Sequence, residues 1–390
     1  MPRALHRRRI AQELLRHLSG AGHPSSSQRC AASMAADRRV IPVVGDSSVY
    51  VGRGLLDKLP GELTPENGIK ASKFVIISDA NVRLPLLPAP LLPLLQAHIG
   101  GAQVWPLYGK QLVDAFMALG NFEMPECIPP AEAAVQPGGF ANMQCLCGNE
   151  PIDVAEGNKL LLTHAVPAGE GTKCRAIKAE IEDFMLAHRC NRDTCLIALG
   201  GGVVGDLVGY VAATYMRGVP YIQVPTSTTA MIDSSVGGKT AINVPAGKNL
   251  IGAFWQPKFV YADLDLLATL GKRELVEGIA EAIKMGVIRM PSLYELLEAN
   301  PEKIMALDKE LMDEVIYDSV RGKADVVAQD EREAGLRGTL NWGHTIGHAI
   351  EALKSPAMMH GECVSVGARP FHDPCCCPGV AAFPTWRARR

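Results

Sequence analysis

Thr194-Cys-Leu-Ile-Ala-Leu-Gly200-Gly-Gly-Val-Val-Gly205-Asp206 is the stretch on which the fold turns. A strand-like apolar run, Thr194–Leu199, meets three consecutive glycines, and a helical pattern from Val204 to Met216 follows. Gly200, Gly202 and Gly205 satisfy G-x-G-x-x-G directly after a strand and at the opening of a helix. Glycine there permits a tight turn and lets backbone N–H groups approach a pyrophosphate at the helix N-terminus. Tyr221–Val224 reads as the next strand, ended by Pro225. Strand, glycine turn, helix and strand in this order predict a βαβ unit on a parallel sheet. One feature departs from an ordinary dinucleotide fingerprint. The second strand ends without an acid for the ribose hydroxyls, and Asp206 follows the last glycine instead.

Toward the N-terminus, residues 40–59 read as a strand pair around Gly45-Asp46-Ser47. Lys73–Ser78 is a buried-type strand closed by Asp79-Ala-Asn81, whose short polar side chains can bind a ligand. Leu160–Thr163 is strand-like, and Pro167-Ala-Gly-Glu170 turns into a helix from about Lys173 to His188. Between them, residues 82–159 are rich in proline and show no sustained period, so an irregular insertion is expected over about 86–159. From Arg273 onward the pattern is helical, with Asn300-Pro301 expected to cap one long helix carrying Ile304, Leu307, Leu311 and Val315. The expected architecture is α/β: a Rossmann-like nucleotide-binding domain over 38–265, then an all-α metal- and substrate-binding domain over 266–367. The cleft between them is the default site. Residues 1–37 form an Arg/Ser-rich extension that reads as disordered, or as an organelle transit peptide. Residues 368–390 read as an atypical, disordered tail.

Of 390 residues, 47% are hydrophobic, and the net charge is −2. That balance gives no reason to expect nucleic acid or a membrane surface as partner. No apolar run reaches the roughly 18–20 residues of a membrane helix. The 11 cysteines have no paired spacing and read as reduced thiols, which suits the cytoplasm.

Three further constellations carry chemistry. Pro225-Thr-Ser-Thr-Thr229 and Asp233-Ser-Ser-Val-Gly-Gly-Lys239-Thr240 crowd hydroxyls and glycines around a lysine and continue to Gly247-Lys248-Asn249. Such loops offer backbone nests and a cation to phosphate. Glu277, Glu281 and Lys284 lie at i, i+4 and i+7 and share one helix face. His344, His348, His360 and Glu362 follow in glycine-rich or apolar surroundings. Two imidazoles and a carboxylate are a common ligand set for a catalytic zinc, and spacing alone picks His344 and His348 as the pair.

With these motifs the sequence resembles 3-dehydroquinate synthases. The matching runs are Gly169-Glu-x-x-Lys173, the triple glycine, Met231–Thr240, Gly247–Pro257, Gly278–Lys284, Arg337–His348 and His360-Gly-Glu-Cys-Val. Asp330–Arg337 and Phe254–Pro257 are most similar to the synthase domain of the fungal-type pentafunctional shikimate-pathway protein. The resemblance covers about 40–85 and 160–367. It implies conversion of 3-deoxy-D-arabino-heptulosonate 7-phosphate to 3-dehydroquinate and phosphate, with NAD and Zn2+ (Co2+ as alternative) as cofactors. It places the metal on Glu281, His344 and His360, and moves His348 to proton transfer. Glu333, Lys239, Asp233 and Lys284 join it as catalytic groups. Substrate would meet Asp233, Lys239, Asn249, Glu277, Lys323, Arg337, Leu340, Asn341, His344 and His360, with Arg217 reaching across a homodimer. NAD would meet Asp79, Asn81, Glu170, Lys173, Gly201, Gly202, Val203, Asp206, Thr226, Ser227, Lys248, Leu266 and Thr269. After Gly367 the resemblance stops where the family continues into further helices, so weak folding and activity are expected of the chain as given. The competing readings are a related NAD- and metal-dependent polyol dehydrogenase and an inactive fragment. Lys239, Asn249, Lys323 and Arg337 argue against the dehydrogenase, since a neutral polyol needs no such cluster.

Overall fold

Alternation of short apolar strands with helices sets the first two-thirds of the chain, and amphipathic helices the rest. The computed structural model describes residues 38–80, 104–124, 155–355 and 357–368. Among them the strands are β1 (Arg38–Pro42), β2 (Ser48–Gly52), β3 (Lys73–Ala80), β4 (Phe122–Glu123), β5 (Lys159–Pro167), β6 (Thr194–Gly200), β7 (Tyr221–Pro225), β8 (Lys239–Val244), β9 (Gly247–Phe254) and β10 (Phe259–Asp263). Eight form one sheet in the order β1-β2-β10-β7-β6-β3-β5-β4, parallel except for the β1–β2 hairpin. β6 and β7 are buried at every residue, as a strand covered on both faces must be.

The helices that follow strands are α1 (Leu55–Glu62), α2 (Lys110–Met117), α3 (Arg175–Ala187) and α4 (Gly202–Thr214). The chain leaves β3 toward β4 and β5, then crosses back to place β6 on the other side of β3. That reversal makes the carboxyl ends of β3 and β6 the switch point where open α/β sheets bind ligands. Asp79 stands at one lip and the triple glycine at the other. A Cβ on Gly200 would lie 2.6 Å from Val204 Cγ2, and one on Gly205 2.6 Å from Gln223 Oε1. These two glycines are therefore required for helix–strand packing as well as for the turn.

The helical part comprises α5 (Lys272–Ile288), α6 (Pro291–Ala299), α7 (Pro301–Met305), α8 (Lys309–Gln329), α9 (His344–Lys354) and α10 (His360–Ala368). No described helix is long and apolar enough to cross a membrane.

Three expectations change. The long helix after Pro301 is broken: Leu307 has φ 57°, and the Asp308 carboxylate accepts the Leu311 N–H, starting α8 afresh. Lys239–Phe254 is a β-hairpin, β8 with β9, and not an open hydroxyl-rich loop. The expected irregular insertion contains α2 and β4, with Val104, Tyr108, Leu112 and Phe116 buried at four-residue spacing in the main core. Residues 1–37 and 369–390, with the extension and most of the tail expected there, lie outside the described residues.

Candidate functional site

α4 begins with Gly202 at the carboxyl end of β6, and the Thr226 N–H donates to the Gly200 carbonyl to close the turn (3.0 Å). Opposite runs the 226–235 segment, in which Thr228, Thr229, Ser234 and Ser235 have buried hydroxyl oxygens with no hydrogen-bond partner. A Cβ on Gly202 would come within 2.9 Å of Ser234 Oγ, whereas one on Gly201 would meet Ser227 Oγ at an ordinary 3.5 Å. Unsatisfied buried hydroxyls beside a bare helix N-terminus make a cradle suited to an anionic, hydroxyl-rich ligand.

The other predicted nucleotide residues lie around this cradle. The Lys173 ammonium pairs with the Asp206 carboxylate and donates to Asn249 Oδ1 (2.6 Å). Burial pushes the Asp206 carboxyl up although Lys173 opposes it. Glu170 accepts from Asn243 Nδ2 at 2.7 Å. Asp79, half-buried at the end of β3, is pushed up to about 6 by desolvation, which the Val104 N–H at 3.3 Å offsets only in part. Tyr108 donates to the Leu266 carbonyl (2.9 Å) and contacts Thr269 Oγ1 at 2.5 Å. Val203 is half-buried in the first turn of α4, and Asn81 lies outside the described residues.

The second constellation is built on three helices. Glu281 of α5 is 2% exposed, and its Oε1 has no hydrogen-bond partner. It stands 3.7 Å from His344 Nε2 and 3.5 Å from His360 Nε2. Two donors bound tetrahedrally at about 2.1 Å are about 3.4 Å apart, so these separations are those of ligands sharing one ion. Each imidazole is turned to offer Nε2. His344 Nδ1 donates to the Trp342 carbonyl (3.1 Å), and His360 Nδ1 donates to Glu351 Oε2 (3.0 Å). Burial, then Lys284, hold His344 below the ordinary imidazole range. Burial lowers His360 too, but Glu281 and Glu351 on either side outweigh it and push it up to about 10. A site that holds an imidazolium this firmly has spare negative charge for a cation.

His348 is exposed, and its ring lies 5.0 Å from that of His344 and 5.6 Å from that of His360. The three imidazoles offer donor atoms within 4.8 Å of one another. The pair chosen from i, i+4 spacing is thus only part of the cluster, because Glu281 and His360 come from other helices.

Behind Glu281, Lys284 pairs with its Oε2 and lies 3.8 Å from Asp233 Oδ1, which accepts from Lys323 at 2.8 Å. Burial opposes ionisation of Asp233, but Lys284 and Lys323 hold it well below the usual carboxylate range. In front, Lys239 pairs with Glu333, whose Oε1 accepts from Asn341 Nδ2 (2.7 Å). Arg337 is 2% exposed, its Nη1 held by the Glu331 carbonyl. A Cβ on Gly237 would meet Arg337 Nη2 at 2.5 Å, so glycine makes room for the guanidinium. Leu340 is buried beside this cluster, and Glu277 is raised chiefly by burial. Arg217 is exposed on the turn after α4, at φ 68° directly after Met216 at φ 50°. Two residues escaped the sequence reading: Tyr108, one of the four-spaced stripe, and Glu351, at i+3 from His348 and i+7 from His344.

A doubly wound α/β sheet followed by helices that carry an imidazole–carboxylate cluster defines the class. The 3-dehydroquinate synthase N-terminal family matches residues 163–277, and the 3-dehydroquinate synthase C-terminal family matches residues 278–370. The chain belongs to the 3-dehydroquinate synthase family. It is 40% identical over 341 residues to the pentafunctional AROM polypeptide of Schizosaccharomyces pombe, a match covering 84% of this chain and 18% of that protein. To the pentafunctional AROM polypeptide of Schizosaccharomyces japonicus it is 52% identical over 221 residues, covering 53% of this chain and 14% of that protein. The chain therefore spans less than a fifth of the length of these relatives. A 2-deoxy-scyllo-inosose synthase solved with carbaglucose-6-phosphate, NAD+ and Co2+ superposes with a TM-score of 0.62 at 22% identity, covering 85% of this chain and 74% of that one. The 2-epi-5-epi-valiolone synthase of Streptomyces hygroscopicus, solved with NAD+ and Zn2+, gives 0.61 at 23%, covering 85% and 74%. Those two likenesses establish the fold.

Proposed function

We propose that this chain is a 3-dehydroquinate synthase, a phosphate-eliminating cyclase that converts 3-deoxy-D-arabino-heptulosonate 7-phosphate to 3-dehydroquinate and phosphate. The observation that carries the proposal is Glu281 Oε1, buried without a hydrogen-bond partner and facing the Nε2 atoms of His344 and His360. Beside it the lysines and Arg337 can meet a phosphate and a carboxylate on one small molecule. The reading takes Glu281, His344 and His360 as ligands of Zn2+ or Co2+. It takes the Gly200–Gly205 cradle, with Asp79, Lys173, Asp206, Thr226, Ser227, Lys248 and Thr269, as the NAD site. When bound, NAD supplies a reversible hydride acceptor and the metal a Lewis acid for vicinal hydroxyls.

The chain's own groups do the remainder. Lys239 exchanges Glu333 for the substrate phosphate, leaving Glu333 and Asn341 beside the reacting carbons. Arg337, fixed by the Glu331 carbonyl, meets the carboxylate bidentately. Although His348 is open to solvent on one side, partial desolvation by its neighbours and then His360 keep it below the ordinary imidazole range, so its uncharged ring can take a proton. Lys284 and Lys323 keep Asp233 ionised and fix the wall that Glu281 stands on. The reading includes a division into two working halves near residue 265, a cytoplasmic location and a homodimer with Arg217 crossing the interface.

The test supplies purified protein with NAD, Zn2+ and the heptulosonate phosphate. Phosphate and 3-dehydroquinate should form together with no net NADH. Stoichiometric NADH without phosphate would favour the polyol dehydrogenase.

A further inference from the structure

Glu351 of α9 is only 9% exposed and makes two charged contacts. Its Oε2 accepts from His360 Nδ1 at 3.0 Å, and its Oε1 accepts from Lys248 Nζ at 2.9 Å. Both carboxylate oxygens are thereby committed in fixed directions. A carboxylate accepts and cannot donate when ionised, so the proton of a neutral His360 sits on Nδ1 and its Nε2 lone pair points at Glu281. Lys248 on β9 prevents the carboxylate from rotating away.

The helix pair that carries these residues is closely packed. A Cβ on Gly347 of α9 would stand 3.0 Å from Val364 Cα, and one on Gly367 of α10 2.1 Å from the Gly343 carbonyl. With the helix backbones in contact, the reach from Glu351 across to His360 is set by the fold. The cluster otherwise secures its imidazoles unequally. His344 leans on the Trp342 carbonyl in its own chain turn, whereas His360 is partly exposed and, among the described residues, directs its Nδ1 at Glu351.

We propose that Glu351 is a positioning residue for the metal site: it fixes the tautomer and ring direction of His360, and Lys248 fixes Glu351. This rests on the assignment of Glu281, His344 and His360 as ligands. A carboxylate behind a ligating imidazole raises its basicity, and its loss costs about 10–100-fold in metal affinity.

The experiment measures Zn2+ affinity by competition with a chelator, and the visible absorption of the Co2+-loaded protein, for full chains carrying Glu351→Ala, Glu351→Gln or His360→Ala. Melting of each metal-free protein is followed in parallel. Glu351→Ala should bind zinc about 10–100-fold more weakly, and Glu351→Gln, whose amide oxygen still accepts from Nδ1, should fall between it and the unaltered protein. Both should shift the cobalt spectrum while melting close to the unaltered protein. If Glu351→Ala fails to fold, the Gln variant decides by the same criteria. Unchanged affinity and spectrum in the Glu351 variants, with zinc lost in His360→Ala, overturns this inference and leaves the ligand assignment standing. Zinc retained in His360→Ala overturns both.

Discussion

The glycine turn and the imidazole cluster are built in opposite ways. The turn is contiguous: Gly200 to Asp206 supply the strand end, the bend and the helix start in seven successive residues. The cluster draws Glu281 from α5, His344 from α9 and His360 from α10, none of them close in sequence to all the others. A contiguous site is held by local backbone geometry and survives damage elsewhere. An assembled site is only as good as the packing of its helices. The two meet at Asp233, which sits in the segment facing the glycine turn and is held by Lys284 and Lys323 from the helical part.

The largest expected effect separates the halves. His344→Ala should abolish zinc binding and turnover while leaving NAD affinity intact. His348→Ala should keep the zinc and lose about 10²–10⁴ in turnover, the range for a proton-transfer group. Metal content after dialysis and NAD titration decide this, and equal metal loss in both variants would sink the ligand assignment.

Phe116→Ala comes next, because Phe116 is fully buried and packs edge-on to Phe122 at 4.9 Å. It should cost about 3–5 kcal/mol of stability by denaturant unfolding. A loss below about 1 kcal/mol would mean that residues 104–124 are an appendage to the core.

Gly202→Val places a branched side chain against Ser234 Oγ, where even a Cβ would come within 2.9 Å. NAD affinity should fall about 10–100-fold, the equivalent of the roughly 1–3 kcal/mol of forced overpacking. Zinc content should not change, and its loss in this variant would break the comparison between local and assembled sites.

The smallest effect is a slope. Asp79 has its folded pKa raised to about 6 from the ordinary carboxylate value of 3.8. A raised folded value means the native state holds the proton more tightly, so the contribution is fully present below pH 4 and lost as pH rises through 6. Stability should decline by at most about 1.4 kcal/mol per pH unit across that window. Asp79→Asn should flatten this part of the pH–stability curve, and an unaltered curve would refute the assignment.

Much of the sheet was legible because its signals are local. β6, the turn and α4 follow from apolar runs, glycines and period, and the β1–β2 hairpin from alternating valines around Gly45. Where reading failed, the signal was weak or non-local. The stripe Val104, Tyr108, Leu112, Phe116 was masked by surrounding prolines, and the break at Leu307 depends on one capping carboxylate 3.1 Å from an amide. The β8–β9 hairpin was hidden because Pro245, Gly247 and Gly252 interrupt its apolar residues and no sustained alternation marks either strand.

By itself the sequence determined which groups are present and which stretches fold as units: a strand, a glycine bend and a helix are set by interactions within a few residues. Tertiary structure alone decided that Glu281 faces His344 and His360, and that Glu351 stands behind His360. Helical spacing orders residues along one face of one helix, and among the imidazoles it could pair only His344 with His348. Which faces meet depends on helix packing, where Gly347 and Gly367 bring two backbones into contact.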